Sequence, residues 1–166
     1  LPALTIGGAG GGLVETGGGF VARANLGFEY RLSPDLSLIM DGGYLTAPDG
    51  NFDTQYVGLN LAYVMETFAQ DQKGAPLKGK DLIQTNKWRF RPAHQSYFDA
   101  QRKDSSSRDM QLLGGKIEWF VGDWWYLTGQ GLSAYEGGAG GYSEGHWGVG
   151  VLSPSWKNLK LSLIHI

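Results

Sequence analysis

Between Phe20 and Leu45 the chain alternates residue by residue. Phe20, Ala22, Ala24, Leu26, Phe28, Tyr30 and Leu32 fall on one side of an extended chain; Arg23, Asn25, Gly27, Glu29 and Arg31 fall on the other. Side chains of a strand point alternately to its two faces, so the period of two predicts a strand over 20–32 with one oily and one polar face. Ser33-Pro34-Asp35 supplies turn chemistry before a second strand over 36–45. The alternation returns over 54–65, where Val57, Leu59, Leu61 and Tyr63 oppose Tyr56, Gly58, Asn60 and Ala62. It returns again over 87–91, where Trp88 and Phe90 oppose Lys87, Arg89 and Arg91 until Pro92 limits pairing. Over 109–121, Leu113, Ile117 and Trp119 oppose Lys116 and Glu118. Further strands are predicted over 124–135, over 142–152, where Trp147, Val149 and Val151 oppose Glu144 and His146, and near 159–163. A short strand over 4–8 precedes a glycine-rich loop, and 101–108 and 136–141 read as loops. The polar stretch 66–86 breaks the pattern and reads as an insertion, a long loop or a short surface helix.

Two features connect these strands. GGAGG occurs at Gly7–Gly11 and at Gly137–Gly141, and Leu-Ser-Pro at 32–34 and 152–154, as though a hairpin had been copied. Connections after Leu32, Val121 and Leu152 are short, whereas those after Ile6, Leu45, Arg91 and Tyr135 are longer, Gly-rich or charged. Short turns at one end and long loops at the other mark a membrane β-barrel. The fold expected is therefore all-β: one domain over 1–166, an antiparallel up-and-down meander β-barrel of about eight to ten strands, incomplete as given. A polar insertion or long loop interrupts it at 66–86. Arg23, Glu29, Arg31, Asp41, Arg89, Arg91, Lys116, Glu118, Glu144 and His146 would line the lumen, where acids and bases can pair and closure satisfies the backbone. The alternative is a secreted soluble β-sandwich binding module, in which the oily faces form a core and the charged faces meet water.

Composition narrows the field. The 166 residues include 27 glycines and 13% aromatics; glycines that punctuate aromatic segments indicate ordered β-structure rather than disorder. A formal net charge of -2 gives no basic excess, so no nucleic-acid partner is expected. Cysteine is absent, which excludes disulfides, thiolate catalysis and Cys-based zinc sites. A mean hydropathy of -0.24 is compatible with barrel strands, which need only about ten alternating residues to cross a bilayer. The chain opens on Leu1 with no signal peptide and closes inside the apparent strand LSLIHI, which reads as a fragment.

The segments 20–32, 54–65 and 109–121, the Ser-Pro turns, and the aromatics Phe28, Tyr30, Trp119, Trp124 and Trp125 near the short-turn end together resemble small bacterial outer-membrane β-barrels of the OmpA-like and OmpW-like kind. The resemblance implies a structural or adhesion-type scaffold, or a narrow porin-like pore, presenting Gly-rich and charged loops in a Gram-negative outer membrane. Membrane lipid would be its partner, with lipopolysaccharide or small solutes as further ones, and no cofactor is expected. His94-Gln95-Ser96 places two polar side chains on one strand face and is similar to the His-x-Ser pattern of outer-membrane lipid A deacylases. That likeness implies Ser96 as nucleophile and His94 as general base, with Asp99, Asp104 or Glu118 orienting the imidazole; the alternative is a polar strand end beside a loop. Glu144 and His146 share a face without an evident third metal ligand, so an interior hydrogen-bonded pair is expected. Arg89 and Arg91 fit either an anionic lipid or solute, or a salt-bridged interior. The Gly-rich runs at 7–12 and 137–141 lack the helix and the Lys-Ser/Thr of a phosphate loop and read as flexible loops.

Overall fold

A computed structural model describes residues 2–67, 86–121, 124–152, 155–156 and 159–161. The strands are β1 (Ala3–Gly10), β2 (Phe20–Arg31), β3 (Leu36–Thr46), β4 (Asp53–Thr67), β5 (Asn86–Gln101), β6 (Ser107–Val121), β7 (Trp125–Glu136) and β8 (Ser143–Val151), followed by the short β9 (Ser155–Trp156) and β10 (Leu159–Leu161). Each of β1 to β7 pairs antiparallel with the next, and β8 returns to β1 from Ala3↔Gly150 to Gly10↔Ser143. The meander thus closes into an eight-stranded barrel, and no helix is present among the described residues. Beyond the start of β1, the lower part of β2 pairs instead with β10, from Leu159↔Tyr30 to Leu161↔Phe28. A single closed sheet replaces the sandwich alternative.

Several boundaries differ from the sequence reading. The first glycine run is not a loop up to Gly10: Gly7 to Gly10 are β1 residues. Glycine weakens an isolated strand, but here both neighbours supply ladder bonds that closure needs. Pro92 does not end its strand. It faces outward and keeps its β6 partner Gly115, while the β4 ladder skips from Asn60↔Ala93 to Tyr63↔Phe90. The loop expected over 101–108 shrinks to 102–106, because β5 and β6 run on past a register shift at Tyr97/Ala100. The ends of the 66–86 segment belong to β4 and β5, and 68–85 lie outside the described residues. The last strand, expected over 159–163, is the pair β9 and β10.

The connections 11–19, 47–52, 102–106 and 137–142 share one end of the barrel and fold over it, rather than standing out as flexible loops. Val14 bridges to Arg102, and the Lys103 amide donates to the Leu13 carbonyl at 2.8 Å. Arg102 Nη1 donates to the Gly138 carbonyl at 2.9 Å, and Nη2 donates to the Gly137 carbonyl. Gly137 and Gly138 adopt φ of 97° and 68°, a left-handed turn that L side chains rarely take. Below this cap sits an apolar cluster that includes Val14, Phe52, Tyr97, Met110 and Tyr142. Arg102→Ala removes both carbonyl bonds and is expected to destabilise the cap by about 1.5–3 kcal/mol. Limited proteolysis should then cut within 11–19 or 137–142 faster than in the parent, with the barrel intact.

Candidate functional site

Inward positions of the strands carry the ionic residues, and closure stacks them in layers. In the layer nearest the turn end, Glu118 on β6 pairs with two arginines of β5: Arg89 through Nε, and Arg91 through Nη2 at 2.7 Å. Arg89 also reaches Glu29 on β2 at 2.8 Å. One layer higher, Lys116 Nζ meets Asp41 Oδ2 at 2.5 Å, and Asn60 Nδ2 donates to Asp41 Oδ1 at 3.0 Å. Under the apolar cluster, Arg23 Nη2 meets Glu144 Oε1 at 2.6 Å and packs over the Tyr56 ring at 4.4 Å. Tyr97 and Tyr142 donate to the same carboxylate at 2.6 and 2.8 Å. Below the cap, four bases (Arg23, Arg89, Arg91, Lys116) thus balance four acids (Glu29, Asp41, Glu118, Glu144) among the described residues, each at most 5% exposed; the further buried base, Arg102, bonds backbone carbonyls of the cap. Balance matters because an unpaired charge removed from water is very unfavourable. At these levels the described inward side chains are almost wholly shielded from water.

Sequence and structure can be compared residue by residue. Arg23, Glu29, Asp41, Arg89, Arg91, Lys116, Glu118, Glu144 and His146 are all buried inside the barrel. Arg31, expected with them, is exposed: it is the last residue of β2, paired with Ser37 beside the 32–35 turn, where the wall ends and water begins. Arg89 and Arg91 adopt the salt-bridged arrangement. His146 Nε2 lies 3.4 Å from Glu144 Oε1, and among the described residues no group of three or more His, Asp or Glu is placed to hold a metal ion. The alternation located the charges but not their uncharged partners. Asn60, Tyr97 and Tyr142 were legible only as polar or aromatic positions, since their partners lie on other strands.

The space for the middle pair depends on a glycine. A Cβ at inward-facing Gly58 would run into Asp41 Oδ1 and approach Gln95 Cγ to 3.2 Å. Gly58→Val is expected to displace the Asp41 carboxylate and destabilise the barrel by about 1–3 kcal/mol, the usual result of overpacking, measurable by urea titration in detergent.

His94 and Ser96 lie on the outer wall, with Gln95 pointing inward and fully buried. Each is engaged away from the other. His94 Nε2 is 2.8 Å from Tyr135 Oη, and Ser96 Oγ donates to Gln111 Oε1 at 2.6 Å. A serine nucleophile needs a base at its hydroxyl and a carboxylate behind that base. Asp99 sits in the register shift, its amide donating to Asp109 Oδ1 at 3.1 Å. Asp104 accepts from Ser106 Oγ in the 102–106 turn at 2.6 Å. Glu118 is inside the barrel, bound to the arginines. Of the three acids considered for orienting His94, Glu118 and Asp104 are engaged elsewhere, and His94 and Ser96 sit as a polar patch on an oily wall.

That wall is the complement of the interior. Outward positions include Leu26 and Phe28 on β2, Met40 on β3, Leu59 and Leu61 on β4, Phe90 on β5, Ile117 on β6 and Val149 on β8, all over 40% exposed. Phe20, Tyr44, Phe98 and Tyr135 ring the loop end; Tyr30, Tyr63, Trp119, Trp124 and Trp125 ring the turn end. The sequence shows Tyr30, Trp119, Trp124 and Trp125 as a turn-end group; Tyr63 and the loop-end ring come together only once the strands are placed side by side. No family model matches the chain, and neither a curated protein nor a solved structure matches it.

Proposed function

We propose that this chain is a non-enzymatic outer-membrane β-barrel, a closed scaffold that spans the bilayer and displays its folded loop cap at the surface. The carrying observation is the inverted polarity of the barrel: paired ions within, and a continuous band of exposed aliphatic and aromatic side chains without. A water-soluble barrel of this size has no use for that band, whose area far exceeds the patches ordinary soluble surfaces carry. From Phe20 to Tyr30 is ten residues, about 33 Å along the strand, or about 25 Å along a barrel axis at a tilt of roughly 40°. That height equals the apolar band of outer-membrane barrels, bounded here as there by aromatic rings. The shielded interior and the cap favour a scaffold over a conducting pore.

The test is reconstitution. The chain should enter lipid vesicles, show heat-modifiable migration on gels as intact barrels do, and add no steady conductance to a planar bilayer. A monomer that stays in solution without detergent would remove the membrane reading; a stable conductance would replace the scaffold with a pore.

A further inference from the structure

The loop cap is not solid. Between the connections 11–19 and 47–52 on one side and the β5–β6 hairpin on the other lies a pocket of about 510 Å³. Its two walls carry opposite charge. Glu15 and Asp53, the first residue of β4, belong to one; Arg102 and Lys103 belong to the other, together with Ser105 and Ser107. Backbone contacts hold both walls. Gly50 fits so closely against the 11–19 loop that a Cβ there would lie 2.7 Å from the Glu15 carbonyl oxygen. Across the pocket, the Arg102 amide donates to the Ser106 carbonyl at 2.9 Å, and the Ser105 amide donates to the Arg102 carbonyl at 3.0 Å. Yet among the described residues Glu15, Asp53 and Lys103 form no ion pair, although all three line one small space. Asp53 lies beside the Tyr44 hydroxyl. Asp104, the other acid of the hairpin, accepts from Ser106 and does not line the pocket. Arg102 is buried, and with its Nη atoms bonded to the Gly137 and Gly138 carbonyls its Nε has no hydrogen-bond partner.

We propose that this pocket binds a small zwitterion, a molecule carrying an ammonium group and a carboxylate or phosphate on one short backbone. The ammonium lies against Glu15 and Asp53, the oxyanion against Lys103 and the unpartnered Nε of Arg102. Opposite charges that line one space without touching are each left to water, and a ligand bearing both signs gives charge-assisted bonds to both walls at once. Two acids and two bases leave the pocket neutral, so a simple cation or anion matches one wall and leaves the other without a partner. The volume falls in the range of small-molecule sites and corresponds to a space about 10 Å across. An α-amino acid with a charge-assisted contact at each end needs about 9 Å. Walls fixed in advance lower the ordering cost of binding. No aromatic or aliphatic side chain lines the pocket among the described residues, whereas Asn51 and Gln101 add amide donors and acceptors, which suits a polar ligand. The site belongs to the cap alone and stands whatever surrounds the outer wall.

The full chain, folded in an uncharged maltoside detergent, should bind L-glutamine saturably by isothermal titration calorimetry. Glutaminamide, which keeps only the ammonium, and N-acetylglutamine, which keeps only the carboxylate, should each bind roughly tenfold more weakly, the scale of one lost charge-assisted hydrogen bond. Glycerophosphoethanolamine, titrated in parallel, identifies the oxyanion: if it binds tighter than glutamine the site takes a phosphate, and if weaker, a carboxylate. Lys103→Met should weaken glutamine and N-acetylglutamine while sparing glutaminamide. Glu15→Gln should weaken glutamine and glutaminamide while sparing N-acetylglutamine, and Glu136→Gln, a loop-end charge outside the pocket, should change none of them. Variants that merely disturb the cap would weaken all three ligands alike, and that result overturns the assignment. So does equal affinity of the parent for the three, or no saturable binding of either zwitterion by a parent whose heat-modifiable migration shows it folded. Vesicle insertion is read separately: a barrel that binds the zwitterion but stays in solution ends the membrane reading alone.

Discussion

Replacing Glu118 with alanine is expected to be the most damaging single change in this barrel, with a loss of about 3–5 kcal/mol. Glu118 is the only acid that pairs with Arg91 among the described contacts, and one of two that pair with Arg89. Its removal leaves one guanidinium unpaired and a second half-compensated in an interior where neither can reach water. A loss of this size is a large fraction of the stability of a domain of this length. The variant should therefore fail to reach the heat-modifiable folded form, or lose it at much lower urea. The effect should depend little on ionic strength, because salt screens buried pairs far less than exposed ones. The decisive comparison adds Arg91→Met to Glu118→Gln. If uncompensated charge is the cause, the double variant should recover much of the loss; if the loss is unchanged, packing around Glu118 rather than charge balance holds this layer together.

The second large effect belongs to the outside. Leu59 lies near the middle of β4, is half exposed, and is flanked by Met40 and His94 on the adjoining strands. Leu59→Arg should destabilise the barrel by about 2–4 kcal/mol in vesicles, as expected for a cation at the bilayer midplane. In water the same substitution at an exposed site would fall within about 0.5 kcal/mol. Urea titrations in vesicles and in a polar detergent, compared for parent and variant, read the difference directly. Equal stabilities in the two media would show that the oily band does not meet hydrocarbon.

Much of the architecture was legible because the strand period is short and strict. Arg23, Glu29, Asp41, Lys116, Glu118 and Glu144 could be assigned to one face from their neighbours alone. A buried face of either sign tolerates no slip of register. Arg31 escaped that logic because periodicity gives a direction but not a depth, and depth is fixed by where the wall stops. Gly7 to Gly10 escaped it for the opposite reason: their strand is imposed by β8 and β2, and nothing in GGAG itself favours extension. The partners that meet from distant strands were not legible. Arg23 finds Glu144 across 121 residues of chain, a relation set by closure and shear rather than by local pattern. The polar contacts of His94 and Ser96 likewise depend on which residues of β6 and β7 arrive beside them, Gln111 and Tyr135, and no local pattern names those partners.

The seam between β1 and β8 also governs how the chain must assemble. Every other junction of the meander joins neighbours in sequence, but this one brings Ala3 to Gly150. Ring closure of so long a loop is entropically late, and contacts of such separation slow folding. Until the ends meet, two bare edges remain available to any other strand, so the unsealed sheet is the species most prone to self-association. Biogenesis of this molecule is therefore a race between circularising and sticking, and whatever shelters those edges in the meantime decides its yield.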